Sequence, residues 1–221
     1  MTRSIRNNSL SLVAFLLFAI FLFGQSVAGH REYNDNQRSH QEAPVSYGRY
    51  LSTGAFVEAT FENWESEFLQ MGAYVLLTAW LVQRGSPESR PLQGSAPQDE
   101  DPRTKARRRD APLPVRRGGL ALALYRHSLS IAFFVLFVGS WLGHAAGGSR
   151  EYSAEQLAHD RPPVSMVEYM TTSRFWFESF QNWQSEFLAV GSIVVLSIFL
   201  REQRSPESKP VAAPHHETAA A

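Results

Sequence analysis

Long uncharged, apolar runs alternate with polar stretches along this chain. The first run, Asn7 to Gly29, holds no charged residue over 23 positions. The hydrocarbon core of a bilayer is about 30 Å thick and requires roughly 20 residues of helix, so this run is long enough to cross it. A second run of this kind covers residues 128–148. The mean hydropathy of −0.23 conceals the pattern because it averages apolar blocks with very polar ones.

The first run also fits a different interpretation. Arg3 and Arg6 precede it, and the small residues of Ser26 to Ala28 resemble a cleavage site. That combination is typical of a secretory signal peptide. The two interpretations differ in whether the segment stays in the mature protein, and an internal repeat separates them.

The repeat covers most of the chain. Residues 8–91 align with residues 127–210 without a gap, and about 35 of the 84 aligned positions are identical. The motifs SLS, REY, PVS, NW, SEFL and SPES recur in the same order. The second copy of the N-terminal run lies in mid-chain, where no signal peptide acts, so we interpret residues 9–29 as a retained transmembrane helix. The duplication predicts two membrane repeats, residues 8–91 and 127–210, joined by a linker, residues 92–126, and followed by a disordered tail, residues 211–221.

Each repeat has a second, shorter apolar run. Phe68–Gln83 and Phe187–Leu200 contain 16 and 14 uncharged residues, fewer than a comfortable span requires. Extending both runs back to the preceding Trp makes them long enough and draws Glu67 and Glu186 into the first turns of these helices. Asn is a good N-cap, a carboxylate in the first turn is favoured by the helix dipole, and Trp prefers the headgroup level. We therefore predict four interface anchors at the helix starts: Asn63, Trp64, Asn182 and Trp183.

The distribution of Lys and Arg predicts the orientation. Residues 84–127 contain ten of them, whereas residues 30–63 and 149–182 contain three each. Since the most basic segment stays in the cytoplasm, we expect both loops to face outward and both termini to be cytoplasmic. The predicted fold class is all-α, with four transmembrane helices arranged as two tandem, parallel-repeat helical hairpins.

Both outer loops are crowded with aromatic residues. In the second loop, Ser165 is followed three residues later by Glu168, which matches a capping box at the start of a helix. We expect each loop to contain a short amphipathic helix lying on the outer membrane surface. A folded cap outside the membrane is the alternative.

The linker is rich in Pro, Gly and charged residues, and this composition predicts disorder. Its basic cluster has two interpretations. It either binds anionic lipid headgroups or serves only as the positive charge that fixes the topology. The residues concerned are Lys105, Arg107, Arg108 and Arg109.

Four polar residues are predicted to lie at a similar depth, near the outer ends of the helices. They are Gln25 and its repeat counterpart His144, together with the counterparts Glu67 and Glu186. Polar groups within a membrane normally turn inward and pair with one another. These four side chains either line a polar cavity that binds a cation or passes a proton, or they only form interhelical hydrogen bonds and caps.

The third span carries a packing motif. Gly139, Gly143 and Gly147 form GxxxGxxxG, which lets another helix approach closely. We expect this face to contact a neighbouring helix or a second chain, which makes a homodimer through the third helix possible.

Composition excludes several classes of function. The net charge is zero, with 21 basic and 21 acidic residues, so nothing indicates a nucleic-acid partner. The absence of Cys excludes thiolate metal sites and Cys nucleophiles. Of the His residues, His40 and His159 match across the repeat but lack further repeated ligands, and no phosphate-binding, acyl-transfer or zinc-protease motif is present. We predict no catalytic residue, no metal site and no cofactor.

The segment FENWESEFLQMGAYVLL and its second copy, with SLS, REY, PVS and SPES in the same order, resemble an uncharacterised family of bacterial integral-membrane proteins, a domain of unknown function. The resemblance covers residues 8–91 and 127–210, and it implies a bacterial membrane location and a four-helix architecture. We expect the protein in the cytoplasmic (inner) membrane. Within the repeated segment, the NWxSEFL box reads NWESEFL in the first copy and NWQSEFL in the second. Glu65 therefore lacks a counterpart in the second copy, whereas Glu67 has one. The predicted function is a non-enzymatic structural or assembly protein, and the alternative is a small proton- or cation-coupled transporter or channel that uses Glu67 and Glu186.

Overall fold

The computed structural model describes residues 3–218, and the chain is helical with no strand in that part. Two sets of helices follow one another, and they match in length between the two sequence repeats. The nine α-helices within the described residues are α1 (Arg3–Asn7), α2 (Ser9–Ser39), α3 (Tyr47–Tyr50), α4 (Gly54–Trp80), α5 (Leu113–Arg117), α6 (Gly119–Arg126), α7 (Ser128–Ala158), α8 (Met166–Tyr169) and α9 (Ser173–Phe199). Helices α2 and α7 contain 31 residues each, α3 and α8 contain 4, and α4 and α9 contain 27.

Three of the described helices, rather than the four that were predicted, are long and apolar enough to cross a membrane. They are α2, α7 and α9. Helix α4 has sufficient length, but its first half contains Glu58, Glu62, Glu65 and Glu67, and it ends at Trp80. Its uncharged part is therefore shorter than the roughly 20 apolar residues that a membrane-spanning helix requires.

The predicted helix starts at Asn63 and Asn182 are wrong. Helix α4 begins nine residues before Asn63, and α9 begins nine residues before Asn182. The side chain of Thr53 caps α4 instead, since its hydroxyl accepts a hydrogen bond from the backbone N–H of Phe56 at 3.3 Å. Thr172, the counterpart of Thr53 in the second repeat, directly precedes α9. The aromatic residues that were assigned to the loops therefore belong to the first turns of the long helices.

The capping box predicted at Ser165 is confirmed. The Ser165 hydroxyl accepts from the backbone N–H of Glu168 at 3.2 Å, and the Glu168 carboxylate accepts from the backbone N–H of Ser165 at 2.7 Å. Hydrogen bonds to the carboxylate from the backbone N–H and from the side chain of Ser165 hold the pKa of the Glu168 carboxyl below its usual range. The helix they start, α8, has only four residues and ends at Tyr169, whose side chain is fully buried. Tyr50, at the end of α3, is also buried, which favours the folded cap over an amphipathic helix on the lipid surface.

The SPES motifs form two similar turns beyond the ends of α4 and α9. In the first, the Ser86 hydroxyl accepts from the N–H of Glu88 at 3.2 Å, and the Ser89 hydroxyl accepts from the N–H of Gln83 at 2.8 Å. The same bonds recur in the second copy, from Glu207 to Ser205 at 3.2 Å and from Glu202 to Ser208 at 3.0 Å. Each motif thus satisfies backbone groups just after a long helix has ended.

Between the repeats, residues 92–126 contain two short 3-10 helices besides α5 and α6. Lys105 forms an ion pair with Glu100, and Arg108 forms one with Asp110. After the second SPES turn, the buried ammonium group of Lys209 donates to the carbonyl groups of Pro214, His215 and Glu217. The predicted disorder of linker and tail stays a prediction, and residues 219–221 of the tail lie outside the described residues.

The chain divides into two compact units. Unit 1 comprises Met1–Phe61 and Gly143–Thr172, and unit 2 comprises Glu62–Leu142 and Ser173–Ala221. Helices α4 and α7 contribute residues to both units. In unit 1 the start of α4 packs against the end of α7, and in unit 2 the remainder of α4 packs against α9, with the first half of α7 alongside.

Candidate functional site

Two glycine–tyrosine contacts in unit 1 occupy equivalent positions in the two repeats. The Tyr50 hydroxyl lies against Gly29, and the Tyr169 hydroxyl lies against Gly148. A Cβ atom at either glycine would overlap the phenol, so each tyrosine occupies the space that a side chain would otherwise fill. The short helices α3 and α8 end at these tyrosines and position them.

The two tyrosines differ in what surrounds their hydroxyl groups. Tyr169 donates a hydrogen bond to the carboxylate of Glu58 at 2.9 Å, with both side chains buried. Tyr50 instead lies among the rings of His30, Tyr33 and Phe56, with centroid separations of 5.4 to 5.7 Å. Only the tyrosine of the second repeat therefore makes a hydrogen bond to a buried carboxylate.

His144, which was predicted as a site residue, completes this cluster. Its side chain has no exposed surface, and its ring lies 6.5 Å from that of Tyr169. A ring nitrogen of His144 and a carboxylate oxygen of Glu58 lie within 4.8 Å of each other. A carboxyl, a phenol and an imidazole in one buried site form a set of groups that exchange protons or bind a cation. We call Glu58, His144 and Tyr169 the buried cluster.

The other residues of the predicted polar set occupy different environments. Gln25 belongs to unit 1, like His144, but its side chain is exposed. Glu67 and Glu186 belong to unit 2, where Glu67 is exposed and Glu186 half-buried. The backbone carbonyl of Glu186 accepts a hydrogen bond from the Gln70 side chain at 3.2 Å.

In unit 2 it is Glu65, rather than Glu67, that is buried. Its carboxylate has no exposed surface and accepts a hydrogen bond from the indole N–H of Trp183 at 2.9 Å. One turn away, the Asn182 side chain donates to the carboxylate of Glu62. Asn182 and Trp183, predicted as interface anchors, therefore bind carboxylates of α4. Of their counterparts in the first repeat, Asn63 is exposed and Trp64 is half-buried.

The glycines predicted as a packing face differ in their surroundings. A Cβ atom at Gly143 would lie 2.6 Å from the ring of Phe61, and one at Gly147 would overlap the backbone of Glu58. Both glycines thus accept the start of α4 from the same chain. Gly139 has open space around it. A homodimer through this helix stays a prediction, with Gly139 as its remaining open position.

A second group of titratable residues lies at the first SPES turn in unit 2. The Tyr74 hydroxyl donates to the carboxylate of Glu88 at 2.6 Å. Burial raises the pKa of the Glu88 carboxyl, the hydrogen bond from Tyr74 lowers it, and repulsion by Glu207 raises it again. A cavity of about 570 Å³ adjoins this carboxyl, and its lining includes Thr78 and Arg90. The recurrence of the four residues SPES in both repeats is the sequence signal for this turn, although the pattern alone indicates no role for it.

Comparison with known proteins places this arrangement in a family. The model of the domain of unknown function DUF6766 matches residues 1–220. The chain belongs to the DUF6766 family. The resemblance predicted from the NWxSEFL box is thereby confirmed as membership of a domain-of-unknown-function family. No curated protein and no solved structure matches the chain.

The hydrogen bond from Tyr169 to Glu58 predicts a difference between two equivalent tyrosines of this DUF6766 protein. In the Tyr169→Phe variant the buried Glu58 carboxylate loses the hydrogen bond from the phenol, and we expect a loss of about 1–3 kcal/mol in the free energy of unfolding. The matched control Tyr50→Phe keeps its ring contacts and should change stability by much less. Thermal melting of the detergent-solubilised variants, followed by size-exclusion chromatography, measures both. Equal losses would mean that the carboxylate contact has no special role.

The raised pKa of Glu88 predicts how stability depends on pH. The folded protein holds this proton at pH values where the unfolded chain has released it, so stability should fall as pH rises from the usual carboxyl range through the raised pKa of Glu88. The Glu207→Gln variant removes the repulsion and should flatten this dependence. Melting temperatures of both proteins between pH 4 and 8 test this. The exposed Glu202 supplies the control, since Glu202→Gln should keep the slope of the parent protein.

Proposed function

We propose that this DUF6766 protein is a four-span protein of the bacterial inner membrane with a non-enzymatic structural or assembly role. The observation that carries the proposal is the lack of cover on its apolar helices. Within the most apolar windows of α2, α7 and α9, only 6%, 17% and 6% of the residues are buried by the chain itself. Such surfaces need lipid or other membrane helices around them.

Helix α4 is proposed as the fourth span. Its 27 residues extend for about 40 Å, more than the thickness of a bilayer core. Two of its carboxylates do not face lipid, because Glu62 binds the Asn182 side chain and Glu65 binds the Trp183 indole. Acidic residues in membrane helices are tolerated when they face other helices and are paired in this way. These contacts compensate for the low apolar content of the helix.

With four spans, both termini and the linker are cytoplasmic and the two loops face outward, in agreement with the concentration of Lys and Arg in residues 84–127. The exposed side chains of Arg107 and Arg109 can then reach anionic headgroups of the inner leaflet. In the structure Lys105 and Arg108 are paired with acidic residues of the linker, so we assign them a smaller share of that contact.

The position of the linker tests the fourth span. If α4 crosses the membrane, alkaline phosphatase inserted after residue 105 in a bacterial host should be inactive, and a fluorescent protein at the same place should be bright. If α4 does not cross, the linker lies on the outside and both signals reverse. Inserts after residue 42, in the first loop, provide the matched control, because they should report an outside location in either arrangement.

A second candidate function is the passage of a proton or a cation, and the buried cluster favours it. Glu58, His144 and Tyr169 bring three groups that exchange protons into one buried site. The sequence pattern assigns this role to Glu67 and Glu186 instead, but Glu67 is exposed.

Flux measurements on purified protein separate these possibilities. The protein is reconstituted into phosphatidylethanolamine–phosphatidylglycerol liposomes that carry a pH dye, and proton uptake is driven by a potassium gradient with valinomycin. If the buried cluster conducts, Glu58→Gln should remove the flux while Glu67→Gln preserves it. If the carboxylates of unit 2 conduct, Glu67→Gln and Glu186→Gln should remove it. Flux equal to that of empty liposomes rejects transport and leaves the structural role.

A further inference from the structure

The first SPES turn packs on the end of α9, and both belong to unit 2. The buried hydroxyl groups of Ser86 and Ser197 form a hydrogen bond at 3.4 Å. At Gly85, an added Cβ atom would lie 2.9 Å from the side chain of Ile198 and 2.6 Å from the carbonyl oxygen of His215. The turn that follows α4 therefore lies in close contact with α9 and with the segment beyond it.

The C-terminal segment, residues 210–218, joins the same contact. The Thr218 hydroxyl accepts a hydrogen bond from the backbone N–H of Gly85 at 2.9 Å. A ring nitrogen of His215 is hydrogen-bonded to the carbonyl oxygen of Ile198 at 3.0 Å. The turn after α4, the end of α9 and the C-terminal segment thus meet at one junction within unit 2.

Two carboxyl groups face each other at this junction. Glu88 of the first SPES motif and Glu207 of the second are repeat counterparts, and their carboxyl groups lie within hydrogen-bonding reach of each other. Two ionised carboxylates at that separation repel, whereas a carboxylic acid donates a hydrogen bond to a carboxylate. The contact between the two motifs is therefore attractive only while the pair holds a proton.

Glu88 is the member of the pair that is set up to hold this proton. Its side chain is half-buried, whereas Glu207 is exposed. Burial disfavours the charged form and is the main reason that the pKa of the Glu88 carboxyl is raised. The Tyr74 hydroxyl, the titratable group that α4 presents to the pair, donates to the Glu88 carboxylate at 2.6 Å and opposes this effect.

The cations of the junction are held by other acceptors. Arg90 lines the same cavity as Glu88 but forms an ion pair with Asp99. Arg201 donates to backbone carbonyl groups at the end of α9, and Lys209 donates to carbonyl groups of the C-terminal segment. A proton, rather than one of these side chains, is what relieves the repulsion within the pair.

We propose that the two SPES turns form a pH-sensitive latch between the ends of α4 and α9. The latch is closed while Glu88 and Glu207 share one proton, and it opens when both carboxyl groups are ionised. In the closed state the acid–carboxylate hydrogen bond adds to the contact between Ser86 and Ser197. In the open state the two like charges push the first turn away from α9. The cavity of about 570 Å³ beside Glu88 gives protons access to the pair.

The distance between two spin labels tests the latch in the full-length, detergent-solubilised protein. The labels are attached to Arg84→Cys and Gln203→Cys, which are exposed repeat counterparts in the two turns of a chain without Cys of its own. Electron paramagnetic resonance between pH 4 and 8 should show one distance at low pH and a second, longer one whose population rises as Glu88 ionises. Circular dichroism should show the same helix content throughout, which distinguishes opening of the latch from unfolding.

Three substitutions in the labelled protein test the assignment to the carboxyl pair. The amide of Glu88→Gln donates to Glu207 and accepts from Tyr74 at any pH, so the low-pH distance should persist over the whole range. Tyr74→Phe removes a hydrogen bond that favours the ionised carboxylate, so the midpoint of opening should move to higher pH. The control Glu202→Gln changes an exposed carboxyl outside the pair and should keep the midpoint of the parent protein.

Several results would overturn the proposal. A label distance that does not change with pH in the parent protein means that the turns stay together when the pair ionises. A change that persists in Glu88→Gln assigns the opening to another titratable group. A midpoint that moves to lower pH in Tyr74→Phe contradicts the role of that hydrogen bond. A longer distance that appears only with loss of helix content means that the whole protein unfolds.

Discussion

The close approach of α7 and α4 is the constraint on which unit 1 depends. A side chain at Gly147 would overlap the backbone of Glu58, and one at Gly54 would lie 2.7 Å from the Gly147 carbonyl oxygen. Backbone atoms of two packed helices cannot move aside as a flexible side chain does, so both positions require glycine. This crossing fixes the first turns of α4 against α7, and it thereby holds Glu58 where the Tyr169 hydroxyl reaches it. The buried cluster depends on this backbone contact.

The sequence patterns that predicted most were the longest ones. An uncharged run of more than 20 residues has few alternatives to a long helix, and the Ser165–Glu168 pair identifies a helix start by its own hydrogen bonds. The starts of α4 and α9 were missed because Asn63 is as good a cap as Thr53 when each is considered alone. Which of them acts as the cap depends on the packing of the aromatic turns between them, a tertiary effect that no local pattern records.

The site was harder to predict because its buried carboxylates have no counterpart in the other repeat. Glu67 has a counterpart and is exposed, whereas Glu65 and Glu58 have none and are buried. Where two copies of one sequence meet, identical carboxylates would face each other and repel. In this structure each such contact of α4 instead joins a carboxylate of the first repeat to a hydrogen-bond donor of the second repeat. The carboxylates are those of Glu58, Glu62 and Glu65. The donors in the second repeat are Tyr169, Asn182 and Trp183. Divergence between the copies is therefore the signal that marks such contacts.

The SPES turns affect how the protein would respond to cleavage of its backbone between the repeats. These turns follow α4 and α9. In each turn, serine hydroxyl groups accept hydrogen bonds from backbone N–H groups of the same repeat. The start of α4 is likewise capped locally, by Thr53, and the start of α8 is capped by the Ser165–Glu168 box. A cleavage within residues 92–126 would leave these hydrogen bonds intact, because both partners of each bond lie outside that segment. The two fragments would still depend on each other for folding, because α4 packs against α7 in unit 1 and against α9 in unit 2.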